Sequence, residues 1–328
     1  MTDRVLITSR SFRETKGKHW EIIQNAGLKI VDSGVPRALT EDEMIEKVEN
    51  IDGALLGVDP VTRRVIEAAP SLRVISRQGV GFDTVDINAC TERGIIVTTT
   101  PNTSTCSVAE LAISLMMALL RHVPQSDQAV KAGKWSRFLG NEMTEKTLGL
   151  VGFGRIAQDV SRKLNGFDLQ ILYYDPYRPN PEIERSLNAR YTPLEELFQQ
   201  ADIISLHSAL NDQTRNLING QTLALMKPSA ILVNTARGGL VDEGALAEAL
   251  RSGRLAGAAS DVFVNEPPTG SPLLSLDKFI AAPHSGAFTA EANARVAIAS
   301  AQNLVDGLQG RWPASIVNPE AIEKKNGG

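Results

Sequence analysis

The chain has 328 residues, of which 42% are hydrophobic and 22% charged, and a formal net charge of −4. That length is comfortable for two hydrophobic cores rather than one, and the mild acidity gives no electrostatic case for binding nucleic acid or an anionic membrane. No apolar run approaches the ~18 residues of a membrane span.

The opening Met1-Thr-Asp-Arg-Val-Leu-Ile runs straight into a strand pattern and lacks a signal-peptide layout. The two cysteines, Cys90 and Cys106, are too few for a disulfide framework and read as reduced, buried thiols. A cytoplasmic α/β protein of two domains is expected.

Residues 4–9, 28–33, 53–57, 72–78 and 95–99 read as strands with helical patterns between several of them. Such alternation implies a parallel sheet covered by helices on both sides. Pro101 breaks the pattern and marks a hinge. One long helix is expected from Ser107 to about Ala132, with Ser107 as N-cap and Glu110 closing a capping box. Its 108–120 stretch is apolar almost all round and should be buried, partly in a subunit interface.

The segment 147–157, Thr147-Leu-Gly-Leu-Val-Gly152-Phe-Gly154-Arg155-Ile156-Ala157, is a Gly-x-Gly-x-x-Ala turn that follows an apolar strand and opens a helix. Strands are expected next at 169–174, 203–207, 230–234, 257–261 and 279–282, then a last helix over 290–308. Roughly 40 residues remain after His284, too few for a third domain. The last helix should therefore return to the first domain and make it discontinuous. The expected fold is two doubly wound parallel-sheet domains: a Rossmann domain over 101–289, inserted into a flavodoxin-like domain of residues 1–100 with 290–328.

The glycine turn is the dinucleotide-binding fingerprint in its required context. Gly152 allows the tight turn, Gly154 lets the backbone approach a pyrophosphate, and Ala157 lets helix and strand pack closely. The helix N-terminus offers N–H groups and a positive dipole end to the phosphates. Asp175, about 20 residues beyond the glycines, can accept hydrogen bonds from ribose hydroxyls and would repel a 2′-phosphate, which favours NAD over NADP. Arg178 lies close in sequence and softens that preference.

Arg237, Glu266 and His284 stand at or just beyond the ends of three predicted strands, where open α/β sheets form their ligand crevice. A guanidinium there gives a planar fork for a carboxylate or a polarised carbonyl. An imidazole supplies a proton near neutral pH, and a neighbouring carboxylate favours its charged form. Singly, each has a bland alternative: a surface Arg on a turn, a Glu closing a loop before two prolines, a satisfied histidine. Together they form a coherent set for reducing a 2-keto acid.

At these residues the chain resembles the D-isomer-specific 2-hydroxyacid dehydrogenases, particularly their phosphoglycerate dehydrogenase and hydroxypyruvate/glyoxylate reductase branch. The resemblance spans nearly the whole length, and its most specific pieces are segments 76–83, 107–110, 149–158, 234–239 and 260–267, with Pro283-His284. It implies that Arg237 orients substrate, that His284 is the acid/base and that Glu266 is its partner. It further implies that Asp261 contacts the nicotinamide carboxamide and that Arg155 and Ile156 meet the pyrophosphate, with Ala236 on the cofactor side. Gly79, Val80 and Gly81 would form a loop whose N–H groups hold the substrate carboxylate. The implied chemistry is interconversion of a D-2-hydroxy acid and its 2-keto acid with NAD, by a homodimer that holds no metal.

Departures from the family's pattern bear on substrate. Ser104 stands where the family often has asparagine, and Leu55-Leu-Gly-Val-Asp59-Pro60 replaces the Arg-Ser pair that phosphoglycerate dehydrogenases use on a phosphate. Arg63, Arg64 and Arg77 remain as possible cations. A small 2-keto acid therefore ranks above 3-phosphohydroxypyruvate, and the loops around Asp59 and Ser104 are expected to set the choice. Glu266 argues against the formate dehydrogenases, which place Gln there. A phosphite dehydrogenase-like enzyme and an NAD-sensing, corepressor-like interaction protein are the rival readings.

Overall fold

The computed structural model describes residues 2–313 and 315–326. The chain divides into two compact units, one of Met1–Ser104 with Phe288–Gly328 and one of Thr105–Ala287.

The first unit holds β1 (Arg4–Ile7), β2 (Lys29–Asp32), β3 (Gly53–Leu56), β4 (Val74–Arg77) and β5 (Ile96–Thr98) in the order β2-β1-β3-β4-β5. All are parallel, with Leu6 opposite Ala54 and Ile75 opposite Val97. This is the flavodoxin order. Alternation along the strands feeds two cores. Leu6, Leu56 and Ile75 face Met44, Val48 and Val65, whereas Val5, Ile7 and Val74 face Phe12, Ile23 and Leu304. The second set brings in the helix Ala290–Leu308, so a segment nearly two hundred residues distant completes this sheet's cover. Asn318 stitches the same tail to β5, accepting from the Val97 N–H at 2.8 Å and donating to the Ile95 carbonyl at 2.9 Å.

Asp59, in a loop expected to bear on substrate choice, turns its side chain inward. It is 1% exposed and accepts from the Leu39 N–H at 2.8 Å, the Gly57 N–H at 3.0 Å and the Thr8 hydroxyl. A buried carboxylate is tolerated when donors surround it in this way, and here it ties three segments together. Of that turn, Val58 is the side chain left exposed.

The second unit holds β6 (Thr147–Val151), β7 (Gln170–Tyr174), β8 (Ala189–Tyr191), β9 (Ile203–Leu206), β10 (Ile231–Asn234), β11 (Gly257–Ser260) and β12 (Phe279–Ala281). Their order, β12-β11-β10-β9-β6-β7-β8, is the Rossmann arrangement extended by one strand, again all parallel. The sequence pattern missed β8, a three-residue edge strand too short to show periodicity.

The expected single helix is two, Thr105–Leu120 and Val123–Lys131, bent by 62°. Pro124 explains the break: in a continuous helix its ring would meet the carbonyl of residue 120, which instead accepts from the Asn141 N–H. His122 takes the left-handed conformation between them. The expected capping box is absent, because the helix starts at Thr105 and Ser107 lies inside its first turn. Glu110 pairs with Lys163 at 3.0 Å instead. Cys106 is exposed rather than buried, while Cys90 is buried and its thiol is pushed up to about 12 by that burial. Among the described residues no single helix is long and apolar enough to cross a membrane.

Asp59→Ala strands the Leu39 N–H and removes an acceptor from the Gly57 N–H and the Thr8 hydroxyl, which keep only each other, and should cost about 2 kcal/mol. Urea unfolding at pH 7 measures this, and a loss under ~1 kcal/mol would show the knot to be dispensable.

Candidate active site

The second sheet reverses its strand order between β6 and β9, and crevices in open α/β sheets form at such a point. Gly152 follows β6 there with φ 89°. A Cβ on it would lie 2.7 Å from the His207 carbonyl carbon and from the Ser208 nitrogen, so only glycine lets the turn rest on the end of β9. The helix Arg155–Lys163 starts at Gly154 without a side-chain cap, and the space around Gly154 is open. Ala157 is fully buried in the core behind the helix. Asp175, just past β7, accepts from the Phe153 N–H of the turn at 2.7 Å and from the Tyr177 N–H at 2.8 Å. Arg178 is engaged elsewhere: it pairs with Glu184 at 2.8 Å and lies over the Tyr191 ring.

At the ends of β9 and β10, Ser205 Oγ, His207 Nε2 and Thr235 Oγ1 are shut off from solvent with no partner among the described residues. Burial alone holds the His207 ring down at about 4. His207 ends the strand pattern 203–207, and its signal in sequence is that place at a strand's C-terminal end. A glycine turn, a carboxylate tied to it and polar side chains awaiting partners fit a dinucleotide such as NAD.

Arg237, Glu266 and His284 come together across the ends of β10, β11 and β12. Asn234 shapes the first turn, accepting from the Ala236 N–H at 3.0 Å and donating to the Arg237 carbonyl at 2.9 Å. Gly238 is required by contact: a Cβ there would fall 2.0 Å from the Phe263 carbonyl carbon. That contact seats the Arg237 turn directly on the Glu266 loop. Glu266 Oε1 accepts from the Phe263 N–H at 3.0 Å, and Oε2 meets His284 Nδ1 at 2.6 Å.

His284 has φ 53° and is tethered by its N–H to the Asp261 carbonyl at 2.8 Å. Asp261 is 2% exposed and accepts from the Ser285 N–H at 2.7 Å and the Gly286 N–H at 2.8 Å. The Asp261 carboxylate therefore orders the backbone just after the imidazole.

The Glu266 hydrogen bond raises the His284 pKa above the ordinary histidine value, against burial and the Arg237 charge, with Asp261 adding to the rise. Burial pushes Glu266 up, but the bonds from His284 and the Phe263 N–H outweigh it and hold the carboxyl below its usual range. With Nδ1 committed to Glu266, Nε2 is the nitrogen through which this imidazole can exchange a proton.

Residues 113–286 match the family profile described as D-isomer specific 2-hydroxyacid dehydrogenase, NAD binding domain. The chain belongs to the D-isomer specific 2-hydroxyacid dehydrogenase family. It is 43% identical over 298 residues to the D-3-phosphoglycerate dehydrogenase of Methanocaldococcus jannaschii, covering 90% of this chain and 57% of that protein. It is 40% identical over 302 residues to the glyoxylate reductase of Pyrococcus furiosus, covering 89% and 90% of the two chains. Among solved structures it is similar to the TT0316 protein of Thermus thermophilus, with a TM-score of 0.87, 36% identity and 96% and 99% coverage. The chain spans little more than half the length of the phosphoglycerate dehydrogenases it matches.

The matched NAD-binding domain lies within the second unit and contains every predicted site residue except those of the Gly79, Val80 and Gly81 loop. That loop follows β4 in the first unit. There the Gly79 N–H is already committed to the Arg77 carbonyl and the Thr100 hydroxyl, both at 3.1 Å. The N–H groups of Val80 and Gly81 have no partner among the described residues. Arg77, a candidate cation, is buried with Nε on the Gly81 carbonyl at 3.2 Å. Arg63 and Arg64 pair with Glu92 and Glu41.

The His207 ring, its Nε2 shut off from solvent, has its pKa held at about 4 in the folded chain, below the ordinary histidine value of about 6.5. Its neutral form is therefore favoured by folding, and that stabilisation is present above pH 6.5 and lost as pH falls towards 4. At the acid end the loss reaches ~3 kcal/mol. Urea midpoints between pH 8 and 4.5 should fall more steeply for the wild type than for His207→Gln; parallel curves would contradict this.

Proposed function

We propose that this chain is an NAD-dependent oxidoreductase that interconverts a D-2-hydroxy acid and its 2-keto acid. The observation that carries the reading is the 2.6 Å contact between His284 Nδ1 and Glu266 Oε2, beside the Arg237 turn. The names of the relatives, phosphoglycerate dehydrogenase and glyoxylate reductase, support the same class of substrate.

Bound NADH would supply the hydride that C2 of the keto acid receives, held through residues 152–157, Asp175 and Ala236, while Asp261, with both oxygens on backbone N–H groups, acts through the turn it orders. His284 donates the Nε2 proton to the carbonyl oxygen as it gains charge. Glu266 keeps the ring protonated until that moment and fixes its orientation. The Arg237 guanidinium stabilises the growing negative charge and orients the substrate. In the first unit, the unpartnered N–H groups of Val80 and Gly81 offer a place for the substrate carboxylate. In the oxidative direction neutral His284 takes the hydroxyl proton.

The substrate we infer is small and carries no phosphate, of the glyoxylate or hydroxypyruvate kind. Val58, Val80 and Phe82 are exposed apolar side chains following β3 and β4, and Arg63, Arg64 and Arg77 are committed to other groups.

We further infer a homodimer. The helix Val123–Lys131 exposes Val123 and Val130, and the segment after it exposes Trp135 and Leu139 at 84% and 96%. Such clustered apolar exposure calls for a partner surface, and a second copy is the occupant. The exposed thiol of Cys106 suits the reducing cytoplasm.

A panel of 2-keto acids with NADH tests the activity. Glyoxylate or hydroxypyruvate should be turned over with higher kcat/KM than 3-phosphohydroxypyruvate, and no oxidation of NADH with any acid would sink the assignment. His284→Ala should lower kcat by about 10²–10⁴-fold while NADH still binds; turnover near wild type would remove His284 from the mechanism. Because the raised His284 pKa keeps the proton donor charged to higher pH, reduction should be level below that pKa and fall as pH rises through it. Light scattering should give twice the 35.4 kDa chain mass, and Trp135→Asp with Leu139→Asp should halve it.

A further inference from the structure

We propose that Glu243 is the positioning residue of the acid/base pair: by gripping the 263–271 loop at two points it seats Glu266 against the His284 ring. The proposal rests on the reading of Glu266 and His284 given above. Glu243 Oε1 accepts from the Val264 N–H at 3.0 Å, and Oε2 accepts from the Ser271 hydroxyl. These two points bracket Glu266. Among the described residues, the only other polar tie from residues 264–271 to a distant part of the chain is Glu266 to His284 itself.

Apolar packing does not hold the loop either. Phe263 at its start and Leu273 after it are buried, while Val264 and Glu266 are exposed. Without Glu243 the backbone would be free to carry the Glu266 carboxylate away from Nδ1.

Glu243 is well placed for this task because it sits on rigid structure. It opens the helix Glu243–Arg251, which Asp242 caps by accepting from the Ala245 N–H at 3.0 Å. Leu246, Ala247 and Leu250 root that helix in the core. Adjacent amides of one strand exit are divided between two carboxylates: the Phe263 N–H goes to Glu266 and the Val264 N–H to Glu243. A displacement of Val264 therefore pulls on the bond that orients Glu266. The 2.0 Å clash that any Cβ on Gly238 would make with Phe263 shows how closely the other side of this exit is packed. The charged groups facing His284 are Glu266, Asp261 and Arg237, so Glu243 acts on the ring only through Glu266.

The test is Glu243→Ala and Glu243→Gln in the full chain, with two readouts. Ring titration by NMR follows His284 directly, in a chain with only four histidines. Steady-state kinetics give kcat, KM and the pH profile of keto-acid reduction.

In Glu243→Ala the His284 pKa should fall towards the ordinary histidine value, and the alkaline limb of the profile should move down with it. kcat should drop roughly 10- to 100-fold, since small misplacements of a catalytic group have effects of that size, and NADH affinity should be unchanged. Glu243→Gln keeps an acceptor for the Val264 N–H and a donor for the Ser271 oxygen, so it should restore most of kcat and the wild-type titration. An unaltered His284 titration and pH profile in folded Glu243→Ala would overturn the proposal.

Should Glu243→Ala fail to fold, Ser271→Ala removes one of the two ties and must shift the titration in the same direction. No shift there overturns it equally. His284→Ala, run in parallel, separates the two ideas: if it retains turnover the catalytic reading fails, while the NMR titration still decides the role of Glu243.

Discussion

A carboxylate 2.6 Å from an imidazole does two things at once: it fixes which ring nitrogen faces outward and it raises the proton affinity of that nitrogen. The organisation at the C-terminal edge of β10, β11 and β12 depends on that contact. Both side chains remain partly exposed, at 49% for His284 and 37% for Glu266, so solvent screens the pair and geometry matters more than raw Coulomb strength. The geometry comes from backbone ties. Asp261 holds the chain around His284, Phe263 holds Glu266, and Glu243 holds the loop between them. A His284 φ of 53° persists because the Asp261 carbonyl and carboxylate constrain the residues on either side.

Two glycines set the spacing of this edge for reasons of volume. At Gly152 the dinucleotide turn rests on the backbone of His207 and Ser208, and at Gly238 the arginine turn rests on Phe263. In both places two chain segments approach more closely than any side chain would permit. The first contact lies at the point where the sheet reverses its strand order; the second joins the strand end carrying Arg237 to the loop carrying Glu266. The glycine turn and the His284–Glu266 pair are therefore built by the same device on one sheet.

The buried polar groups fall into two kinds with opposite meanings. Asp59 and Asp261 are nearly inaccessible carboxylates surrounded by donors, and they organise backbone. Ser205, His207 and Thr235, at the ends of β9 and β10, present buried atoms with no partner among the described residues. Native folds satisfy most buried polar atoms, so a group of exceptions in one place marks a site whose partner comes from outside the chain. For His207 the consequence is a ring kept neutral at physiological pH.

Much of this was legible in one dimension because its causes are local. Strand-and-helix alternation, the Gly152 turn with Asp175 beyond β7, and the placement of Arg237, Glu266 and His284 at or beyond strand ends follow from periodicity and spacing. The helix over 290–308 was readable for the same reason, and its return to the first unit followed from the shortness of what remained. The break at His122 was written in Pro124 and passed over because the apolar run around it looked continuous. Other features depended on contacts between segments far apart in sequence, which no local pattern encodes. The loop around Asp59 is expected to bear on the substrate, but that Asp59 itself is a buried knot follows only from Thr8 and Leu39 converging on it in space. Only the packing of its helix against the 263–271 loop turns the Glu243 carboxylate into an anchor. The sequence alone determined which chemical groups stand at the strand ends. The tertiary structure decided which of them meet, because hydrogen-bond partners 18 to 51 residues apart are chosen by sheet order and loop packing.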